Sequence, residues 1–444
     1  MLIETDIQKV YSLHNFCKIP QVQTYLSNYD KHIIKVTGNV LPFKVNNYVI
    51  DELIDWENFQ NDPIYKLTFP QKGMLSDKHF AQMESALNND LSKPDLRLIA
   101  NSIRLELNPH PAGQMEYNIP KINGIALTGL QHKYKQTVLF FPKHSQTCHS
   151  YCTFCFRWPQ FVGINELKFE MMETELLVKY LEQNSEVTDI LFTGGDPMVM
   201  SAKRLQQYIE PILNSNIPHL QTIRIGTKSL TYWPYRYLTD KDSADILRLF
   251  EKIVNKGFHL AVMAHINHGN EIKTEAAKRA IKRILSTGAI IRTQAPILNN
   301  INNSPEIWSN MWKEQVKLGC VPYYMFMPRD TGSHDYFSVT LEDAWNVFRK
   351  AYKQISGIAR TVRGPIMSAH PGKVQVLGIN NISNEKVFTL RFLQGRNPDW
   401  VGKPFFAKYD KYADWLDKLI PAFGEKKFFY EEELERMNKA GIRS

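Results

Sequence analysis

From Thr137 onward the chain alternates short apolar segments with longer amphipathic ones, and this alternation restricts the fold more than any other feature of the sequence. Six segments have the length and character of strands, at 138–142, 189–193, 222–226, 259–263, 289–292 and 321–326. Helical patterns lie between them, including 171–183 and 274–285. Strands joined through helices run parallel, because a parallel neighbour needs a crossover connection. Their near-continuous apolar character predicts burial on both faces. The expected class is α/β, a partial (β/α)6 TIM-like barrel whose ligands bind at the C-terminal ends of the strands.

Three regions follow from the pattern. Residues 1–115 read as a mainly helical N-terminal region. Leu53, Ile54 and Trp56 sit there on an amphipathic segment, Asn61-Asp62-Pro63 marks a turn, and 77–91 is a capped helix. A loop from Asn108 to Gly113 separates this region from the barrel at 116–340. Residues 341–444 form an α+β extension. It has a helix at 342–355, a short β-like region around Arg363-Gly-Pro365, His370-Pro-Gly-Lys373 and Val374 to Gly378, and a last helix at 430–440.

With 444 residues, 43% of them hydrophobic, the chain can bury a large core. No apolar run approaches the roughly 18 residues of a membrane span. The acidic residues of Met-Leu-Ile-Glu-Thr-Asp do not suit a secretory signal. The formal charge is +9, yet basic residues are interspersed with acidic ones. The pairs Lys278-Arg279 and Lys282-Arg283 recur at helical spacing, as on a solvated helix face, which argues against a nucleic-acid partner.

Directly after the first predicted strand comes Cys148-His-Ser-Tyr-Cys152-Thr-Phe-Cys155, with the other two cysteines, Cys17 and Cys320, far away. An odd, low cysteine count with one tight cluster points away from a disulfide scaffold and towards a reducing cytoplasm. Clustered thiolates suit an iron–sulfur cluster or zinc. Three ligands would leave one iron of a four-iron cluster open to a small molecule. Alternatively, His149 or His144 could complete a Cys3His zinc site in a non-enzymatic binding protein. After the second predicted strand stands Gly194-Gly195-Asp196-Pro197, where glycines allow close backbone approach to a ligand.

The Cys-x-x-x-Cys-x-Phe-Cys spacing, followed by Gly-Gly-Asp-Pro, resembles the radical S-adenosylmethionine (SAM) superfamily. Most of 60–380 is similar, more narrowly, to the lysine 2,3-aminomutase family. This likeness rests on His132-Lys-Tyr134, Cys155-Phe-Arg157, Arg224-Ile-Gly226 with Pro234 and Arg236, the segment from His265 through His268 to Glu271, Gln294, and Tyr323-Tyr324. The resemblance implies that Cys148, Cys152 and Cys155 hold a [4Fe-4S] cluster, at which SAM yields a 5′-deoxyadenosyl radical. It implies that Arg157, Gly194, Gly195, Asp196 and Gln294 position SAM, with His265 and His268 near its sugar and the substrate. It also implies pyridoxal 5′-phosphate (PLP), beside Tyr134 and tethered by the amine of Lys373 in a glycine-rich loop after the barrel. An electron-donor protein, a small amino-acid substrate and a homo-oligomer complete what it implies.

Two departures matter. Thr137 stands where the family has a phosphate-binding arginine, with Lys133 and Lys135 as nearby cations. Arg329, followed by Asp330, and Ile366 stand where lysine aminomutases use two aspartates to hold the substrate's distal ammonium. These exchanges favour an anionic or polar amino acid, with Arg329 or Arg363 as its partner, over free lysine. The loss at Thr137 keeps open a PLP-independent radical enzyme acting on a peptide, a metabolite or RNA.

Overall fold

The computed structural model describes residues 7–108, 118–163 and 169–440. Most of the loop expected at 108–113 lies outside the described residues. The fold is mixed α/β, built on one eleven-stranded sheet in which strand order follows chain order. Its strands are β1 (Leu130–Tyr134), β2 (Thr137–Phe140), β3 (Asp189–Phe192), β4 (Thr222–Thr227), β5 (His259–His265), β6 (Ile290–Pro296), β7 (Val321–Phe326), β8 (Arg363–Ser368), β9 (Gly372–Ile382), β10 (Glu385–Gly395) and β11 (Pro404–Lys408). From β2 through β8 every neighbouring pair is parallel, whereas β1 and β9–β11 attach antiparallel at the two ends.

All six predicted strands are present, and a helix joins each consecutive parallel pair. Leaving the N-terminal region aside, these are α1 (Thr174–Gln183), α2 (Ala202–Asn214), α3 (Ser243–Asn255), α4 (Glu275–Leu285), α5 (Pro305–Lys317) and α6 (Leu341–Lys353). Side-chain caps set several starts: Ser201, Thr274, Ser304 and Thr340 each accept a backbone N–H of the following turn. The first helix begins three residues later than its pattern suggests. Met171 is held extended against Phe141 and Lys143 instead, with Met171 N donating to Phe141 O at 2.9 Å.

Burial departs from expectation in one instructive way. Along β3, β4 and β6 fully buried residues alternate with half-buried ones. Ile190, Phe192, Ile223, Ile225 and Ile291 join the core beneath the helices. The opposite face carries Asp189, Arg224, Arg292 and Gln294. Strands β2, β5 and β8 approach two-sided burial, whereas β3, β4 and β6 do not. The polar face is therefore not core.

The sheet also continues past residue 341. The β-like region of the extension is strand β8, parallel to β7, followed by a long hairpin of β9 and β10 that turns at Ser383 and Asn384, both at positive φ. The N-terminal region builds a second core. It is helical apart from a ribbon pairing Val10–Ser12 with Lys44–Asn46. Its apolar residues pack on Trp158, Tyr232, Trp233, Leu298 and Phe337. Each of these follows the C-terminal end of a parallel strand, so the N-terminal region covers that end of the sheet. The basic pairs of α4 face outward as expected, except that Arg283 donates to the Tyr237 and Leu238 carbonyls. No described helix is long and apolar enough to cross a membrane.

Asn46 joins the two cores. Fully buried, it donates through Nδ2 to Tyr232 O at 2.8 Å and His149 O at 3.3 Å, and accepts from Val49 N at 3.0 Å. Asn46→Ala strands these buried backbone groups and should cost about 3 kcal/mol. The expected readout is a clear fall in the urea midpoint. An unchanged midpoint would show that the clamp is not needed for the joint.

Candidate active site

The site begins where β2, β3 and β4 end. The cysteine loop leaves β2 through a 3-10 turn at Lys143–Ser145. Gly195 N and Asp196 N donate to Ser145 O at 2.9 and 3.0 Å, and Asp196 N also reaches Thr147 O at 2.8 Å. The fit has no room for side chains: a Cβ on Gly195 would meet the Thr147 backbone, and Gly194 sits at φ +144° against Ser145. The Asp196 carboxylate is itself committed. It accepts from Met198 N, Thr227 Oγ1, Lys228 N and Ser229 N at 2.7–3.1 Å. Asp196 thus fixes the glycine turn against the cysteine loop.

Cys148, Cys152 and Cys155 all lie on this loop, half-exposed and free of disulfides. Burial pushes each thiol up, Cys152 to about 12 and Cys148 well above the ordinary range, and for Cys148 the nearby Asp196 and the other two thiols add to the effect. Such a set needs positive charge before it can ionise, as a metal centre would supply. Among the described residues no three His, Cys, Asp or Glu side chains converge on one ion-sized point, as a single zinc would need. A four-iron cluster asks for less convergence, since each thiolate takes a different iron. Of the two histidines considered for zinc, His144 Nδ1 is engaged by Tyr208 Oη at 2.7 Å, and His149, whose Nδ1 meets Gln8 at 3.0 Å while its Nε2 is buried without a partner, joins no convergent set with the thiols. The donor set fits an iron–sulfur cluster better than zinc.

Arg157 stands next to these thiols. Its guanidinium lies 4.3 Å over the Phe141 ring, its Nε is buried without a partner, and burial draws its pKa down to about 10. A buried guanidinium with a donor left over complements a carboxylate such as that of SAM. Further along the sheet edge, Gln294 Nε2 meets His265 Nε2 at 3.2 Å across β6 and β5. Burial lowers His265 to about 3 and His268 to about 4, so both rings are neutral near pH 7. His268 Nδ1 also accepts from Asn270 N, capping the next turn.

Lys373 is not in a loop but is the second residue of β9, opposite Ser368 of β8. Its Nζ donates to Gln394 Oε1 at 2.6 Å and lies 5.2 and 5.0 Å from the ring centres of Tyr134 and Tyr324. Burial, with Arg224 and Arg363 nearby, lowers its pKa to about 7. A lysine that is partly uncharged at neutral pH is a nucleophile. The Tyr134 hydroxyl is buried beside Ser368. An aldehyde cofactor with polar ring substituents fits this amine and phenol.

Other predicted residues fall differently. Thr137 Oγ1 donates to Asp189 Oδ2 at 3.2 Å, and Asp189 grips Arg224 through two contacts of 2.8 and 2.5 Å. Lys133 Nζ donates to Ala369 O, and Lys135 is exposed in the turn between β1 and β2. Arg329 stacks on Phe156 and Trp415, with Asp330 and Asp417 as neighbouring carboxylates. Ile366 is fully buried. Arg236 is structural, tying the Met198 and Met200 carbonyls to Asp242.

The sequence did not disclose the buried Lys228–Glu271 pair (2.7 Å) beside Cys152, joined by Asn267 at 3.0 Å and by the Tyr232 ring. Both residues lie in or beside quoted stretches, but their pairing across β4 and β5 needs the register. Gln394, the partner of Lys373, left no signal because the hairpin was unrecognised.

No protein-family profile matches the chain. Curated proteins do. A putative L-lysine 2,3-aminomutase of Aquifex aeolicus is 28% identical over 398 residues, covering 89% of this chain and 92% of the relative. L-lysine 2,3-aminomutase of Methanococcus maripaludis is 23% identical over 419 residues, covering 94% and 84%. Glutamate 2,3-aminomutase of Clostridioides difficile is 28% identical over 214 residues, covering 48% and 47%.

The Lys373 environment yields a titration. Its reaction with an amine-selective acylating reagent, followed by peptide mass spectrometry, should rise through a midpoint near pH 7. Exposed lysines should instead rise around 10.4. Below pH 7 the protonated amine should be inert. A Lys373 that labels in step with surface lysines would contradict the site geometry.

Proposed function

We propose that this relative of the lysine 2,3-aminomutase-like radical SAM enzymes moves an amino group between adjacent carbons of an acidic or polar amino acid, and that free lysine is a poor substrate. The observation that carries the reading is Lys373: a buried amine with its pKa near 7, held between two tyrosine rings on the sheet that also carries the cysteine loop. In this reading the crossovers from β2 to β7 curve into a partial (β/α)6 barrel at 116–340. Residues 1–115 cover it, and 341–444 bring the tether.

The roles divide as follows. Cys148, Cys152 and Cys155 hold a [4Fe-4S] cluster, and Arg157 with the Gly194–Gly195 backbone orients SAM. Gln294 and the neutral His265 line the space between SAM and substrate. Lys373 tethers PLP beside Tyr134. When bound, these groups supply an electron, a 5′-deoxyadenosyl radical and a ring system that stabilises a migrating nitrogen. The protein's part is to keep Lys373 deprotonated, to present Arg157 to a carboxylate and to cover the site with the N-terminal region.

The choice against lysine rests on charge. Around Lys373 the influential charged neighbours are Arg224, Arg363 and Asp189, and that carboxylate is already bonded to Arg224. Arg329 and Ile366 offer no anion for a distal ammonium. A PLP-independent radical reaction is the second reading, favoured by the Thr137 hydroxyl being taken up by Asp189. A reducing cytoplasm, a reducing electron-donor protein and a homo-oligomeric state belong to the same proposal.

The test uses anaerobically reconstituted protein with SAM, PLP and a strong reductant. Expected are iron and sulfide at one cluster per chain, 5′-deoxyadenosine formation, and a borohydride-trapped pyridoxyl group on Lys373. Conversion of glutamate, aspartate or glutamine should exceed that of lysine at least tenfold in kcat/KM. Rapid formation of β-lysine would refute the substrate class. Deoxyadenosine formation with a clean Lys373 would transfer the assignment to the PLP-independent reading.

A further inference from the structure

The polar face of the sheet gathers more positive charge than it balances. Arg224 is neutralised by Asp189, through Nε at 2.8 Å and Nη2 at 2.5 Å. Arg363, the first residue of β8, has its Cζ 4.5 Å from the ring centres of both Tyr323 and Tyr324. Arg292 of β6 lies over the other contact of this pair, its Cζ 5.3 Å from the Tyr323 ring centre. Among the described residues no carboxylate pairs with Arg292 or Arg363, and both are half-buried. Stacking fixes a guanidinium in place, and Arg363, which also hydrogen-bonds Tyr323, keeps the rest of its five N–H donors for an anion. Tyr323 thus gathers two cations, Arg363 and Arg292, neither of them balanced by a carboxylate among the described residues.

The site adjoins the tether. The Tyr324 ring that carries Arg363 is also 5.0 Å from Lys373 Nζ, and Arg363 and Arg224 both act on that amine electrostatically. An anion held here would sit next to whatever Lys373 holds. The other nearby cations are committed elsewhere: Lys133 to the Ala369 carbonyl, Arg329 beside Asp330 and Asp417, and Arg396 to the His370 carbonyl and Asn118. Thr137, across the same face, contributes a hydroxyl to Asp189 and no charge.

We propose that Arg363, assisted by Arg292 and held by Tyr323 and Tyr324, anchors the phosphate of the pyridoxal cofactor, a role that position 137 cannot fill in this chain. The inference rests on the assignment of Lys373 as the tether. Two charged guanidinium groups match a phosphate monoester dianion in charge and, through bidentate N–H donation, in geometry. A substrate carboxylate shares part of this chemistry, so the test separates the two.

Cofactor-free protein with an intact cluster is titrated with PLP and, separately, with pyridoxal, which lacks the phosphate, and binding is read from the absorbance of the bound ring. Wild-type protein should prefer PLP, and inorganic phosphate should weaken PLP binding but not pyridoxal binding. Arg363→Gln should weaken PLP at least tenfold and leave pyridoxal within about twofold. Arg363→Lys should recover part of the loss, and Arg292→Gln should show a smaller effect of the same sign. An unchanged PLP-to-pyridoxal ratio in both Arg363 variants overturns the anchor, and substrate carboxylate binding at Arg363 would then explain the cations. Wild-type protein that binds neither ring, with Lys373 unlabelled, removes the tether and the anchor together.

Discussion

A single buried carboxylate organises the end of the sheet that carries the cysteine loop. Asp196, 1% exposed, receives hydrogen bonds from residues that follow β3 and β4, and its own N–H reaches back to the cysteine loop after β2. An isolated carboxylate at that depth would be costly, and burial does raise its pKa, but the donors around it hold three loops in one arrangement. The glycines follow from that constraint. With Asp196 N bonded to both Ser145 and Thr147 carbonyls, the preceding backbone is pressed on the cysteine loop, and any Cβ there would separate the two.

The same economy appears on the cover. Lys44 O accepts from Tyr151 N at 2.8 Å, Lys44 Nζ donates to Thr147 Oγ1 at 3.0 Å, and Leu67 O accepts from Thr153 N at 2.9 Å. The cysteine loop is therefore gripped from below by the sheet and from above by the N-terminal region. Its thiols are positioned by backbone hydrogen bonds to both sides rather than by packing among themselves.

Much of this could be read from the sequence. Apolar runs separated by amphipathic ones gave the six parallel strands because burying one face of a strand under helices leaves a strong local signal. The cysteine spacing and the Gly194-Gly195-Asp196 stretch located the site for a similar reason: each sits immediately after such a strand. What could not be read depended on register. Arg224 meets Asp189, and Lys228 meets Glu271, only once neighbouring strands are aligned. Two-sided burial was the wrong inference for β3, β4 and β6 because Leu191 shares its face with Arg224, and local hydrophobicity averages over both faces. Strand β1 escaped notice because His132 and Lys133 interrupt its apolar pattern, and the β9–β10 hairpin because Asn380, Asn381 and Ser383 resemble loop residues.

The hairpin has a consequence for how such a protein can change. Lys373 and Gln394 face each other across β9 and β10, outside the run of parallel strands whose loops carry the cysteines and Asp196. The amine is thus placed by a ribbon attached to one border of the sheet, with Arg224 of β4 and Arg363 of β8 sharing in its lowered pKa, while the cysteine loop follows β2 towards the other end of the strand order. Substitutions in the ribbon can move that amine without touching the loops that Asp196 ties together. One sheet thus holds the amine and the cysteine loop through different elements, and each can be altered by changes that leave the other's supports in place.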